Sequence, residues 1–147
     1  MTLKIIGKPI QYFLQIMVRE CMNEMEKGGH ENLTEEIISR AYHEGVLASY
    51  NQTYFEHYYE RLKDYYGENI PDIAKKILTE LSRNERVERN RLWKIFLLLT
   101  EGRGDEDTFS LLLTELENDF YITCDQRKYY HFTTKVLKDW WERYHSI

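Results

Sequence analysis

The sequence predicts a mainly α protein carrying one small β-hairpin near its C-terminus. Three observations lead there. Apolar residues recur every three or four positions along most of the 147 residues, the period of amphipathic helices. That period changes once, at 120–132, where apolar and polar residues alternate on either side of a polar turn. Glycine or proline punctuates the pattern at Gly28-Gly29, at Gly67 to Pro71 and at Gly102 to Gly104. With 42% hydrophobic and 31% charged residues the chain is globular in composition, long enough for one domain or two small ones.

The elements follow in order. Pro9 sits where a helix can begin, since its missing N–H falls among the unpaired first-turn donors. Ile10, Phe13, Leu14, Met17, Cys21, Met22 and Met25 then form one apolar stripe, and Gly28-Gly29 ends the helix. Thr34 is an N-cap for the next helix, with Glu35 and Glu36 in the first turn and Leu33/Ile38 at the spacing of a hydrophobic staple. This helix weakens near Gly45.

The stretch 50–66 is rich in tyrosine, with Phe55, Tyr58, Tyr59, Leu62 and Tyr66 sharing a helical face. A base-stacking platform would need basic residues beside it. That face has none, so the rings are read as core with wet hydroxyls. Gly67 to Pro71 is the turn-rich junction taken as the domain boundary, giving 1–70 and 71–147. Two helices follow, one carrying Ile73, Ile77, Leu78 and Leu81, the other Leu92, Ile95, Phe96 and Leu99. A helix at 107–116 leads to strands at 120–124 and 129–132 around Asp125 to Lys128. Thr134 opens a last helix with Val136, Leu137, Trp140, Trp141 and Tyr144 on a wide apolar stripe. Adjacent helical positions imply that only one of the two tryptophans points fully inward. Helix, hairpin, helix, with two helices upstream, is the layout of a winged helix.

Function classes narrow by exclusion. No apolar run approaches the ~20 residues that span a bilayer, and no signal peptide is recognisable at the start. Cys21 and Cys124 are the two cysteines. Their spacing leaves a disulfide open; the preferred reading is a pair of free, mostly buried thiols and a cytoplasmic protein. His30, His43, His57, His131 and His145 show no metal-ligand spacing, and no serine has a nucleophile context. No catalytic or metal residue is therefore expected. Net charge is −5, with 7 basic and 11 acidic residues in 1–70, and 13 and 14 in 71–147. Neither part has the basic excess of a phosphate-backbone binder.

Three segments together resemble the C-terminal half of a bacterial and archaeal family of P-loop ATPases in the wider AAA+/STAND group. Ile6-Gly7-Lys8-Pro9-Ile10-Gln11-Tyr12-Phe13-Leu14-Gln15 looks like the Gly-x-Pro lead-in to the helical lid. Tyr54-Phe55-Glu56-His57-Tyr58-Tyr59-Glu60-Arg61-Leu62 is similar to the helix leaving that lid. Tyr130-His131-Phe132 with Leu137-Lys138-Asp139-Trp140-Trp141 resembles the ending of the family's winged helix. The resemblance covers nearly the whole chain. It implies a lid-like subdomain over 1–70 and a winged helix over 71–147. It also implies that Gly7 and Pro9 line an ATP site completed by an upstream ATPase domain.

No Gly-x-x-x-x-Gly-Lys-[Ser/Thr] and no acid-tipped strand occur, so phosphate and Mg²⁺ would be held by that other domain and not by this chain. Arg19 is the arginine nearest the position where related ATPases sense the γ-phosphate. The expected function is a non-catalytic regulatory and interaction module. It docks on another domain or protein through an acidic helix and an exposed Trp/Tyr edge.

The alternative is a DNA-binding winged helix. It would act through 83–94, with Arg83, Arg86, Arg89, Arg91 and Lys94, assisted by Arg127 and Lys128 of the wing. Against it, the helix before the hairpin carries Asp105, Glu106, Asp107, Glu115, Glu117 and Asp119. No Lys or Arg lies between Arg103 and Arg127 to meet phosphate or guanine.

Overall fold

The computed structural model describes residues 2–48 and 51–146, with the side chains of residues 13–48, 51–53 and 55–146. The protein is mainly helical and divides into two compact units, Met1–Tyr54 and Phe55–Ile147. The division falls ahead of the Gly67–Pro71 turn, because Phe55, Tyr58 and Tyr59 pack on aromatic rings of the C-terminal unit.

In the N-terminal unit, α1 (Thr2–Gly28) packs on α2 (Glu35–Arg40) and on a π-helical turn, Ala41–Val46, that continues α2 directly. The helix therefore starts ahead of Pro9 instead of at it; proline favours a first turn but does not define one. Gly29, at φ 63°, ends α1 while the amides of Gly29 and His30 donate back to Glu26 O and Met25 O. Thr34 caps α2 by accepting from the Ile37 amide at 3.3 Å. Leu33 and Ile38 are both exposed and bury no staple.

The buried face of α1 differs from its apolar stripe. Phe13, Ile16 and Cys21 are buried, but so are Glu20 and Glu24, while Leu14, Val18 and Met22 are more than half exposed. The side chain of Ile10 lies outside the described residues, as do Tyr50 and the side chain of Tyr54.

The C-terminal unit begins within α3 (Thr53–Arg61), which tightens into a 3₁₀ turn, Leu62–Asp64. That tightening swaps the face of the next tyrosines. Tyr65 is buried and its hydroxyl donates to Asp119 Oδ2 at 2.8 Å. Tyr66, expected on the buried face, is 93% exposed. Helix α4 (Ile70–Ser82) follows, with Ile73, Ile77, Leu78 and Leu81 fully inside. A two-residue strand β1 (Val87–Glu88) leads into α5 (Arg89–Leu99), and α6 (Glu106–Asn118) is capped by Asp105 through the Thr108 amide at 2.7 Å. Strands β2 (Ile122–Cys124) and β3 (Tyr129–Phe132) precede α7 (Lys135–Tyr144), whose cap Thr134 accepts from the Leu137 amide.

The sheet is antiparallel in the order β1-β3-β2, so the expected hairpin gains a third strand. Val87 faces Tyr130, Glu88 faces Tyr129, and Ile122 faces Phe132. Phe120 lies in the turn that closes α6 and not in β2. It is left-handed at φ 62°, and the amides of Phe120 and Tyr121 donate to Glu117 O and Leu116 O.

Both tryptophans of α7 are fully buried, which corrects the expectation of one in and one out. Each finds its own surroundings. Trp140 stacks on Phe55 at 5.3 Å, while Trp141 meets Tyr59 and Tyr121 and donates Nε1–H to Thr79 Oγ1 at 3.1 Å. Trp140 and Trp141 therefore present no exposed edge. Among the described residues, no helix is long and apolar enough to cross a membrane.

Candidate functional site

Gly7 and Pro9 lie within α1, and the surroundings of their side chains lie outside the described residues. Arg19, the sensor candidate, is engaged inside its own unit. Its Nη2 contacts Asn51 Oδ1 at 2.6 Å and Glu20 Oε1 at 3.2 Å. Asn51, itself buried, donates from Nδ2 to Glu20 Oε1 at 3.2 Å and to Gly45 O at 2.8 Å. The Glu20 side chain rests directly on Gly45, where a Cβ would come within 2.7–2.9 Å of it. This is why a glycine stands in the π-helical turn. Glu24 is approached by Lys27 at 3.6 Å and Arg40 at 3.9 Å. Burial of two carboxylates is thus matched by donors and cations, as a low-dielectric site requires.

In the C-terminal unit the basic run does not form one surface. Arg83 reaches Ser146 O at 3.5 Å, and Arg86 lies over the Tyr129 ring at 4.6 Å. Arg89 pairs with Glu106 at 2.5 Å, touches Ser110 Oγ at 2.9 Å and covers Phe109. Arg91 pairs with Glu80 at 2.5 Å, and Lys94 is exposed. Arg83 closes α4, Arg86 lies in the segment before β1, and Arg89, Arg91 and Lys94 stand on α5 with different partners.

The turn at 125–128 does bring Arg127 and Lys128 to Arg89. The three line a shallow pocket of about 300 Å³ with Glu88, Asn90 and Trp93. Sequence distance hid that meeting; only the β1–β3 pairing creates it. Asp125 holds the turn, accepting from the amides of Arg127 at 2.8 Å and Tyr129 at 3.0 Å. Those bonds, the Tyr129 amide foremost, keep its carboxyl below the usual range.

Helix α6 carries its six acids less uniformly than the sequence implied. Asp105 is the cap, Glu106 is paired to Arg89, and Asp119 holds Tyr65 and Arg61. The exposed face runs Asp107, Leu111, Thr114, Asn118, with Leu111 half exposed at its centre. A second, larger cleft of about 550 Å³ lies between the start of α4, the end of α5 and the start of α6, floored by Ile70, Ile73 and Phe96. Among the described residues, no three His, Cys, Asp or Glu side chains gather to hold a metal ion.

Cys21 and Cys124 are both free thiols. No protein-family model, curated protein or solved structure matches the chain.

Proposed function

We propose that the chain is a non-catalytic interaction module, the C-terminal part of a P-loop ATPase. Its C-terminal unit is a winged helix that docks on protein. The order α4, β1, α5, α6, β2, β3, α7, with β1 joining the hairpin, supports the winged-helix reading. The N-terminal helices would border the nucleotide site of an ATPase domain through Gly7 and Pro9, by the resemblance of their segment; ATP and Mg²⁺ belong to that domain.

The observation that carries the docking role is the face of α6. The helix that would enter a DNA groove presents Asp107, Leu111, Thr114 and Asn118, an apolar centre without one cation. Phosphates would meet a carboxylate there, whereas a protein surface gains from covering Leu111.

The second reading, DNA binding through 83–94 and the wing, is favoured by one observation, the gathering of Arg89, Arg127 and Lys128 in one pocket. A selection from random duplexes, read by anisotropy at physiological salt, separates the two. The docking module should enrich nothing and bind duplexes with the roughly 10⁻⁴ to 10⁻⁶ M affinity of non-specific contacts. A site bound about 10³ times more tightly than random sequence would overturn it. Loss of that site in the doubly reversed Arg127→Glu, Lys128→Glu protein would assign the binding to the wing.

A further inference from the structure

The aromatic cluster of the C-terminal unit is closed by a histidine. His145 directly follows α7, its amide donating to Trp141 O at 2.8 Å. The imidazole stacks on Tyr59 with centroids 4.2 Å apart and planes 18° apart. It meets Trp140 edge-on at 4.6 Å and Trp141 at 5.1 Å. Its Nε2 is buried and has no hydrogen-bond partner, and the same holds for Tyr121 OH and Trp140 Nε1 in the same cluster. An N–H added at Nε2 would therefore meet rings, with no acceptor in reach.

The charges around the ring pull in opposite directions, Glu56 favouring a positive ring more strongly than Lys75 disfavours it, so burial is what keeps the ring neutral. From α4, Lys75 Nζ already lies over the Tyr59 face, 4.8 Å from its centroid, and Asp72 stands 4.0 Å from that ammonium. From α3, Glu56 acts in the opposite sense. On the chain around the ring itself, Glu142 and Arg143 of α7 are exposed, and Arg83 reaches Ser146 O.

We propose that His145 is a pH-operated latch on the last helix. As a neutral ring it seals the cluster of Tyr59, Trp140 and Trp141; as an imidazolium it leaves, loosening the end of α7 and admitting water to the tryptophans. Burial, the largest influence, and Lys75 hold the ring below its ordinary value of 6.5, against the pull of Glu56. The sign follows from linkage. Below pH 6.5 the unfolded chain binds the proton more readily than the folded one, so the latch contributes its full stability above 6.5. That contribution is lost as pH falls toward the folded-state value.

The full chain can be tested by NMR titration of the imidazoles, together with tryptophan emission and melting between pH 7.5 and 5.0. His145 should titrate with a midpoint below 6.5. Acidification should red-shift the emission and lower the melting temperature more in the native protein than in His145→Phe, where a ring fills the slot without titrating. A His145 midpoint at or above 6.5 would overturn the latch, and so would a His145→Phe protein that follows the native one through the same window. The NMR midpoint decides by itself if the substituted chain does not fold.

Discussion

Replacing Trp141 by alanine should cost the C-terminal unit about 3–5 kcal/mol, and Trp140→Ala a comparable amount. Both indoles are fully buried, so each truncation removes large apolar surface and leaves a cavity that helices on both sides can only partly close. The neighbours differ. Trp140→Ala strips Phe55 of its stacked partner, whereas Trp141→Ala uncovers Tyr59 and Tyr121 and deprives Thr79 of a donor.

Trp141→Phe separates packing from that hydrogen bond. Losing the indole N–H leaves Thr79 Oγ1 still donating to Lys75 O at 2.9 Å, so the bond itself should account for only about 1 kcal/mol. Denaturant melts followed by fluorescence suit the measurement, because all three tryptophans, Trp93, Trp140 and Trp141, lie in the C-terminal unit. A loss below about 1 kcal/mol for either alanine would contradict the burial of both rings.

The second large effect is expected in the N-terminal unit. Asn51→Ala removes donors from Glu20 and Gly45 O at one stroke, and should destabilise that unit by about 1–3 kcal/mol. Asn51→Asp should be worse at neutral pH. It replaces the donor facing Glu20 with a second carboxylate 3.2 Å from the first, partly offset by Arg19. Protonation at acid pH should relieve the repulsion and narrow the gap between the two variants. Hydrogen exchange along α1 and the π-helical turn would register the loss as faster opening. Unchanged protection in Asn51→Asp would mean that Glu20 does not depend on this contact.

The parts of the fold that sequence made legible are those fixed locally. Thr34 and Thr134 cap their helices as read, Gly29 takes the left-handed turn, and the Asp125 to Lys128 turn separates two strands. What escaped depends on distant partners. A two-residue strand such as β1 has no period to detect, and it exists because Tyr129 and Tyr130 offer it an edge.

The inward face of α1 departs from its apolar stripe for the same reason. Hydrophobicity favours Leu14 and Met22 over Glu20 and Glu24. It does not know that Asn51, Arg40 and Lys27 will stand opposite the carboxylates. The candidate site suffered similarly. Arg83 to Lys94 read as one basic stripe because they are neighbours in the chain, while the fold pairs Arg89 and Arg91 with acids and gives Arg127 and Lys128 to Arg89. For Gly7 and Pro9 the reading rests on resemblance alone.

The two thiols fall one to each unit, and that makes the protein its own double reporter. Cys124 is half-buried at the end of β2, its Sγ 3.4 Å from Asp125 O. Cys21 is buried in α1, and burial, aided by the Glu20 charge, pushes its thiol above the ordinary value, away from the reactive thiolate. A maleimide offered to the native chain should therefore take Cys124 first, leaving Cys21 to react at the rate at which the N-terminal unit opens. Without any substitution, one chain then carries a stationary address on its sheet and a clock on its first helix, and the Asn51 variants should make that clock run fast.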